Sequence, residues 1–188
     1  MCGRFYIDTD EESLEQIIDE LQRRQGQSVK TGEICPSDAA PVIANSRALT
    51  PKPFLMRWGY SLGGRLVINA RSESAAQSPL FSDGMRYRRC LIPASFYFEW
   101  ERRGKEKIRY AIRPQSHEPM YMAGIYRIEQ NGPAFTILTR APGEEISFIH
   151  DRMPVILPTQ AQQAWLSPDA SWQDLLEQAT LRMDYGAM

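Results

Sequence analysis

Nothing in this sequence approaches the run of roughly 20 apolar residues that a bilayer-spanning helix needs. The opening residues, MCGRFYIDTD, also lack a basic segment followed by an apolar stretch, so no secretory leader is expected and the cytoplasm is the default compartment. Cysteine is scarce and unpaired: Cys2, Cys35 and Cys90 form no C-x-x-C motif and are odd in number. That argues against a disulfide framework and against a structural zinc site. Histidine occurs only at 117 and 150, which narrows the candidates for acid–base work. Lysine is rare too, 4 residues against 18 arginines. Arginine is the better fork for phosphate oxygens, although it serves structural carboxylates equally well.

What is present fits one domain. The chain of 188 residues, 43% hydrophobic and 24% charged, is long enough for a core and too short for two ordinary domains. The net charge of −1 hides an uneven distribution. From Arg57 to Arg113 there are 12 basic residues against 5 acidic ones, while the remainder holds 10 and 18. A basic middle suits a phosphate-tracking groove, and solvated strand faces account for it equally well.

TDEESLEQIIDELQRRQ reads as a helix, with Leu14, Ile17, Ile18 and Leu21 on one stripe and Thr9 with Glu12 as a capping box. GEICPSDAAP reads as loop. FLMRWGY, RLVINA, RRCLIP, FYFEW, KIRYAIR, MYMAGIYRI and AFTILT then read as short strands, and GEEISFIHD as a helical turn or loop. Helices return in TQAQQAWL and SWQDLLEQA, the second capped by Ser171 with Asp174. The expected fold is a single α+β domain, residues 1–188, with a curved, mainly antiparallel, barrel-like sheet flanked by helices.

Few residues offer chemistry. His117 lies in a Pro-bounded polar turn and reads as surface. His150 precedes an aspartate at the end of an apolar turn, a pattern more often structural than catalytic. Strand alternation puts Tyr97 and Glu99 on one face, and Phe96, Phe98 and Trp100 on the other. Glu99 is suited to proton transfer if that face is enclosed, and to pairing with an arginine otherwise. Asn69, Arg71 and Glu73 share one face of a strand by period two. Cys2 has a position with chemical meaning. Removal of Met1 is efficient before a small residue and leaves a free amine beside the thiol. With ordinary values of about 8 and about 8.5, both groups react near neutral pH. A 1,2-aminothiol condenses with an aldehyde to a Schiff base, and its sulfur then closes a thiazolidine. Alternatively, the amine serves the thiol as base in a hydrolase.

Together, MCGRF, WGY, INARSES, RRCLIPASFYFEW, MAGIY and IHDRMPVIL resemble the SRAP family, the SOS response-associated peptidases or abasic-site-processing proteins. The motifs follow the family's order over residues 1–158, ahead of a C-terminal helical segment at 159–188. The resemblance implies binding of single-stranded DNA and a covalent adduct with the ring-opened sugar of an abasic site. Cys2 matches the family nucleophile, and Asn69 the asparagine that holds it. Glu99 and His150 match the acid/base pair around the sugar, and Arg4, Arg71 and Arg152 match positions that meet backbone phosphates. It implies no cofactor, no metal and no membrane, and a monomer that joins the nucleoid when on DNA. A weak lyase activity by β-elimination follows from the Schiff base. Three departures stand out. SLGGR follows WGY where aromatic residues are usual, leaving only Leu62 as a wedge. GEICPSDAAP replaces the usual Asn-x-Ala-Pro loop, with Cys35 expected to pack. LRMDYGAM leaves any closing strand short or absent. A Cys2-dependent thiol peptidase and a non-catalytic single-strand-binding module are the alternative readings.

Overall fold

The computed structural model describes residues 2–26, 28–179 and 181–188. Strand β1 (Arg4–Ile7) leads to helix α1 (Glu12–Gln25), which buries Leu14, Ile18 and Leu21 against the core and packs Ile17 at its margin. The expected capping box does not form. Asp8 takes Thr9 and Asp10 into a turn of its own, accepting from the Asp10 amide at 3.1 Å, and Glu11 holds the cap position without a side-chain bond. The stretch read as loop contains strand β2 (Gly32–Ile34), which exists because β1 lies beside it.

Strands β3 (Ala39–Asn45), β4 (Pro51–Trp58), β5 (Tyr60–Leu62), β6 (Arg65–Val67) and β7 (Asn69–Arg71) follow. At the joint of β4 and β5, Gly59 has φ +106°, and a Cβ there would strike Leu66. Short helices α2 (Ser72–Ala75) and α3 (Ser82–Tyr87) precede strands β8 (Arg89–Ala94), β9 (Phe96–Arg103), β10 (Glu106–Pro114), β11 (Met120–Glu129) and β12 (Gly132–Arg140). A 3-10 turn (Glu144–Ile146), strand β13 (Met153–Pro154), and helices α4 (Thr159–Leu166) and α5 (Trp172–Gln178) come next. Ser171 caps α5 by accepting from the Asp174 amide, as expected. The chain ends in a fourteenth strand, β14 (Met183–Ala187), five residues long and paired with β10 along its whole length.

Pairing in the order β11-β8-β3-β4-β12 returns to β11, so five strands close a barrel. Closure removes the free edges of these strands. A second sheet, β14-β10-β9-β1-β2, packs Phe5 and Tyr97 into the core cluster that contains barrel residues Val42, Phe135 and Ile137. The molecule is thus mixed α+β, a barrel with an added antiparallel sheet and flanking helices. No described helix is long and apolar enough to cross a membrane.

Candidate active site

The site lies where the barrel and the second sheet meet. β1 runs antiparallel to β9 with Phe5 opposite Tyr97 and Arg4 opposite Phe98. Continuing that register brings the residues before Arg4 alongside Glu99. Cys2 is there, fully buried, with its thiol 3.8 Å from the Arg4 carbonyl. The barrel supplies Asn69. β7 runs parallel to β12 with Asn69 opposite Ile137, and the Ile68 carbonyl accepts from Trp58 Nε1 at 3.0 Å. So fixed, Asn69 Nδ2 donates to the Cys2 carbonyl oxygen at 2.9 Å. Its Oδ1 is buried and accepts from no described residue.

Glu99 is 4% exposed, a carboxylate enclosed beside the thiol. Burial pushes the Cys2 thiol far above its ordinary range, and the negative potential of Glu99 pushes it further. The Tyr97 hydroxyl is raised in the same way, first by burial and then by the charges of Cys2, Glu99 and Glu145. Cys2 and Tyr97 thus share one electrostatic neighbourhood that favours their neutral forms.

His150 arrives on the loop between the 3-10 turn and β13. The same strand that positions Asn69 positions this loop, because β12 carries β7 on one edge and β13 on the other. Ile149 and Met153, on either side of His150, belong to the core that holds Cys2. The imidazole is part-exposed. Its Nδ1 accepts from the Arg152 amide at 3.0 Å and lies 2.7 Å from Asp151 Oδ1. The amide contact needs a bare Nδ1, which places the proton of the neutral ring on Nε2; the Asp151 contact needs Nδ1–H. The two contacts therefore require different proton placements at Nδ1.

The arginines are placed differently from one another. Arg4 is exposed on the Trp100 face, paired with Glu33 and 5.7 Å from the Trp100 ring centre. Arg71 is exposed at the end of β7, opposite Thr139. Arg152 is mostly enclosed: its guanidinium forks Glu73 at 2.7 and 2.8 Å and donates to the Thr139 carbonyl at 2.5 Å. The expected strand row of Asn69, Arg71 and Glu73 is corrected here. β7 stops at Arg71, and Glu73 lies on α2, where it meets Arg152. His117 is exposed, with Nε2 3.1 Å from Asp184 Oδ2, as its turn suggested. Cys35 is half-buried in its loop, its amide donating to Asp38 Oδ2 at 2.7 Å.

Two further groups were not singled out in the sequence. Glu33 accepts from both Arg4 and Arg109, whose hydrogen bonds hold its carboxyl below the usual range. Arg109 in turn lies 3.6 Å from the centre of the Phe98 ring. Glu145 reaches the Tyr97 neighbourhood while its Oε1 accepts from the Met183 amide at 2.9 Å. No local pattern points to either, since each has a partner more than thirty residues away. Among the described residues, no group of three His, Cys, Asp or Glu side chains is placed to hold a metal.

The sequence and fold have relatives. The abasic site processing protein YoaM of Bacillus subtilis is 32% identical over 201 residues, covering 98% of this chain and 87% of that protein. The abasic site processing protein YedK of Escherichia coli is 28% identical, over 94% of this chain and 84% of its own. A crystal structure of a Bacteroides thetaiotaomicron protein superposes with a TM-score of 0.78 at 21% identity, covering 100% of this chain and 92% of that one. It shares the fold. The family model for SOS response associated peptidase matches residues 1–187, nearly the whole chain and every residue of the site just described, and the chain belongs to that family, SRAP.

Proposed function

We propose that this protein processes abasic sites in single-stranded DNA by forming a thiazolidine between Cys2, freed of Met1, and the C1′ aldehyde of the sugar. The observation that carries the reading is the enclosed trio: the Cys2 carbonyl held by Asn69 at 2.9 Å, with buried Glu99 beside the thiol. The abasic sugar is mostly a closed hemiacetal. His150 protonates the ring oxygen as the C1′–O4′ bond breaks, and the C1′ hydroxyl gives up its proton, leaving the aldehyde. The Cys2 amine attacks C1′, and the carbinolamine loses one water to give the imine. The sulfur then bonds to C1′ and the imine electron pair moves to nitrogen. The thiol proton follows through the Glu99 carboxylate, and one water is the only product released.

Two features of the site support this order of events. A thiol kept protonated by burial and by Glu99 is quiet until an imine forms beside it. The held carbonyl fixes the backbone of Cys2, so amine and sulfur reach one carbon in sequence. The phosphates on either side are assigned to Arg4, Arg71 and Arg152, of which Arg71 and Arg4 are open to solvent. Burial of the thiol weighs against the peptidase reading, which needs an accessible thiolate.

The test is incubation of the purified protein with an abasic oligonucleotide and with its undamaged counterpart. A denaturation-resistant band is expected with the abasic strand only. Its mass should equal protein without Met1 plus DNA minus one water. Cys2→Ala should abolish that product, and Asn69→Ala should slow it at least tenfold by loosening the nucleophile, about 1.4 kcal/mol or more. No product with wild type, or the same product with Cys2→Ala, overturns the proposal.

A further inference from the structure

The sheet face that carries Glu99 continues outward into aromatic rings for which the chemistry at Cys2 has no use. Tyr110 stands directly opposite Glu99 on β10, and Tyr185 on β14 stands opposite Ile112. Phe148, two residues before His150, packs onto both, with ring centres 5.8 Å from Tyr110 and 5.3 Å from Tyr185. Tyr110 and Tyr185 are themselves 5.8 Å apart, and all three contacts are edge-on or steeply tilted. Tyr110 is buried and its hydroxyl donates to Glu101 Oε2 at 3.1 Å, which fixes the base of the group. Phe148 and Tyr185 leave 46% and 43% of their surfaces in solvent.

We propose that Phe148 and Tyr185 form a shelf on which the nucleobase next to the abasic sugar stacks; this rests on the function proposed above. Position argues for it. Neighbouring strands lie about 4.8 Å apart, so β14 is roughly 10 Å from Glu99, the reach of an adjoining nucleotide. Chemistry argues for it as well. An abasic residue has no base of its own, so contacts with its neighbours must hold the strand while the sugar opens. A half-exposed ring offers a π-face that any base accepts, which suits a lesion found in every sequence. The rings already brace one another, so stacking orders little that was free beforehand. His150 on the same loop ties the shelf to the group that opens the sugar.

The experiment compares abasic oligonucleotides whose neighbour on one side, then the other, is either an ordinary nucleotide or a baseless tetrahydrofuran spacer. Wild type is expected to crosslink roughly tenfold more slowly when the base on one particular side is missing. Phe148→Leu and Tyr185→Leu keep apolar packing but offer no ring. They should be about as slow on the base-flanked substrate as wild type is on the baseless one, and indifferent to the spacer. The salt dependence of binding should be unchanged, because no phosphate contact is lost. A purely structural role predicts that the variants slow on every substrate by one factor, with the spacer effect intact, and that result overturns the shelf. If wild type forms no crosslink at all, the proposed chemistry is wrong, and the shelf is then read by equilibrium binding of intact against spacer-containing strands. Equal affinity of wild type for the two overturns it.

Discussion

At the scale of the residue, Cys2 shows how burial and charge set reactivity together. Its thiol is raised by burial first and by Glu99 second. The folded protein therefore keeps a proton that the unfolded chain gives up. The stabilisation is fully present below the unfolded value of about 8.5 and is lost as pH rises above it. Cys90 and Tyr97 carry the same sign. In urea unfolding followed at about pH 7.5 and about pH 10, Cys2→Ala should lose less stability across that interval than wild type, the other groups being common to both. An equal loss would show that the thiol ionises freely in the fold. The residue scale is also where the sequence spoke most clearly. Cys2, Asn69, Glu99 and His150 were legible as motif positions. The enclosure of Glu99 was not, since it depends on what covers that face.

Elements are joined by clusters that no segment announces. The β5–β6 hairpin is held to the barrel by Glu129 at the end of β11. Its carboxylate accepts from Arg57 at 2.5 Å, from Arg127 Nε at 2.8 Å and from the Ser61 amide at 2.9 Å. Arg127 also donates to the Ser61 carbonyl and lies 4.5 Å from the centre of the Tyr60 ring. Burial alone would raise the Glu129 carboxyl, but these donors and the two guanidinium charges outweigh it and hold it low. Such a group stabilises above the unfolded value of about 4.3, and the contribution is lost as pH falls through the folded one. Glu129→Gln should cost roughly 1–3 kcal/mol at neutral pH, with a smaller difference from wild type in acid; denaturant midpoints at the two pH values check this. Faster amide exchange confined to 60–67 would mark the hairpin as the element released. α1 illustrates the complementary case. Its apolar stripe was readable because a 3.6-residue period is local, whereas its cap was misread because Asp8 competes for the same turn.

For the whole molecule, the decisive event is closure of the barrel. β11 pairs with β8 on one side and β12 on the other, and Gly124 sits opposite both Cys90 and Ile137, where the two ladders overlap. A Cβ there would fall 2.4 Å from Ile92 Cδ1 and 2.9 Å from the Thr136 carbonyl oxygen. The first neighbour is a side-chain tip that can rotate; the second is backbone and cannot move without opening the ladder. Gly124→Ala should therefore destabilise by roughly 1–3 kcal/mol despite its small size. Thermal or urea unfolding of that variant measures the effect, and a neutral or stabilised protein would refute the tight fit. Closure also explains why β12 can serve Asn69 and the His150 loop at once, with a partner strand on each edge.

By itself the sequence determined the helical stripes of α1, the strand runs, the two C-terminal helices and the family motifs. All are patterns within a few residues of one another, where periodicity and turn chemistry act directly. Only the tertiary structure decided which strands pair, that Glu73 leaves the strand for a helix, and that Glu33 gathers Arg4 and Arg109. It also decided that β14 completes the second sheet and braces the loop of His150. The reason is physical. A hydrogen bond such as that from Asn69 to Cys2 joins groups 67 residues apart, and its partner is chosen by sheet register and core packing rather than by neighbouring sequence.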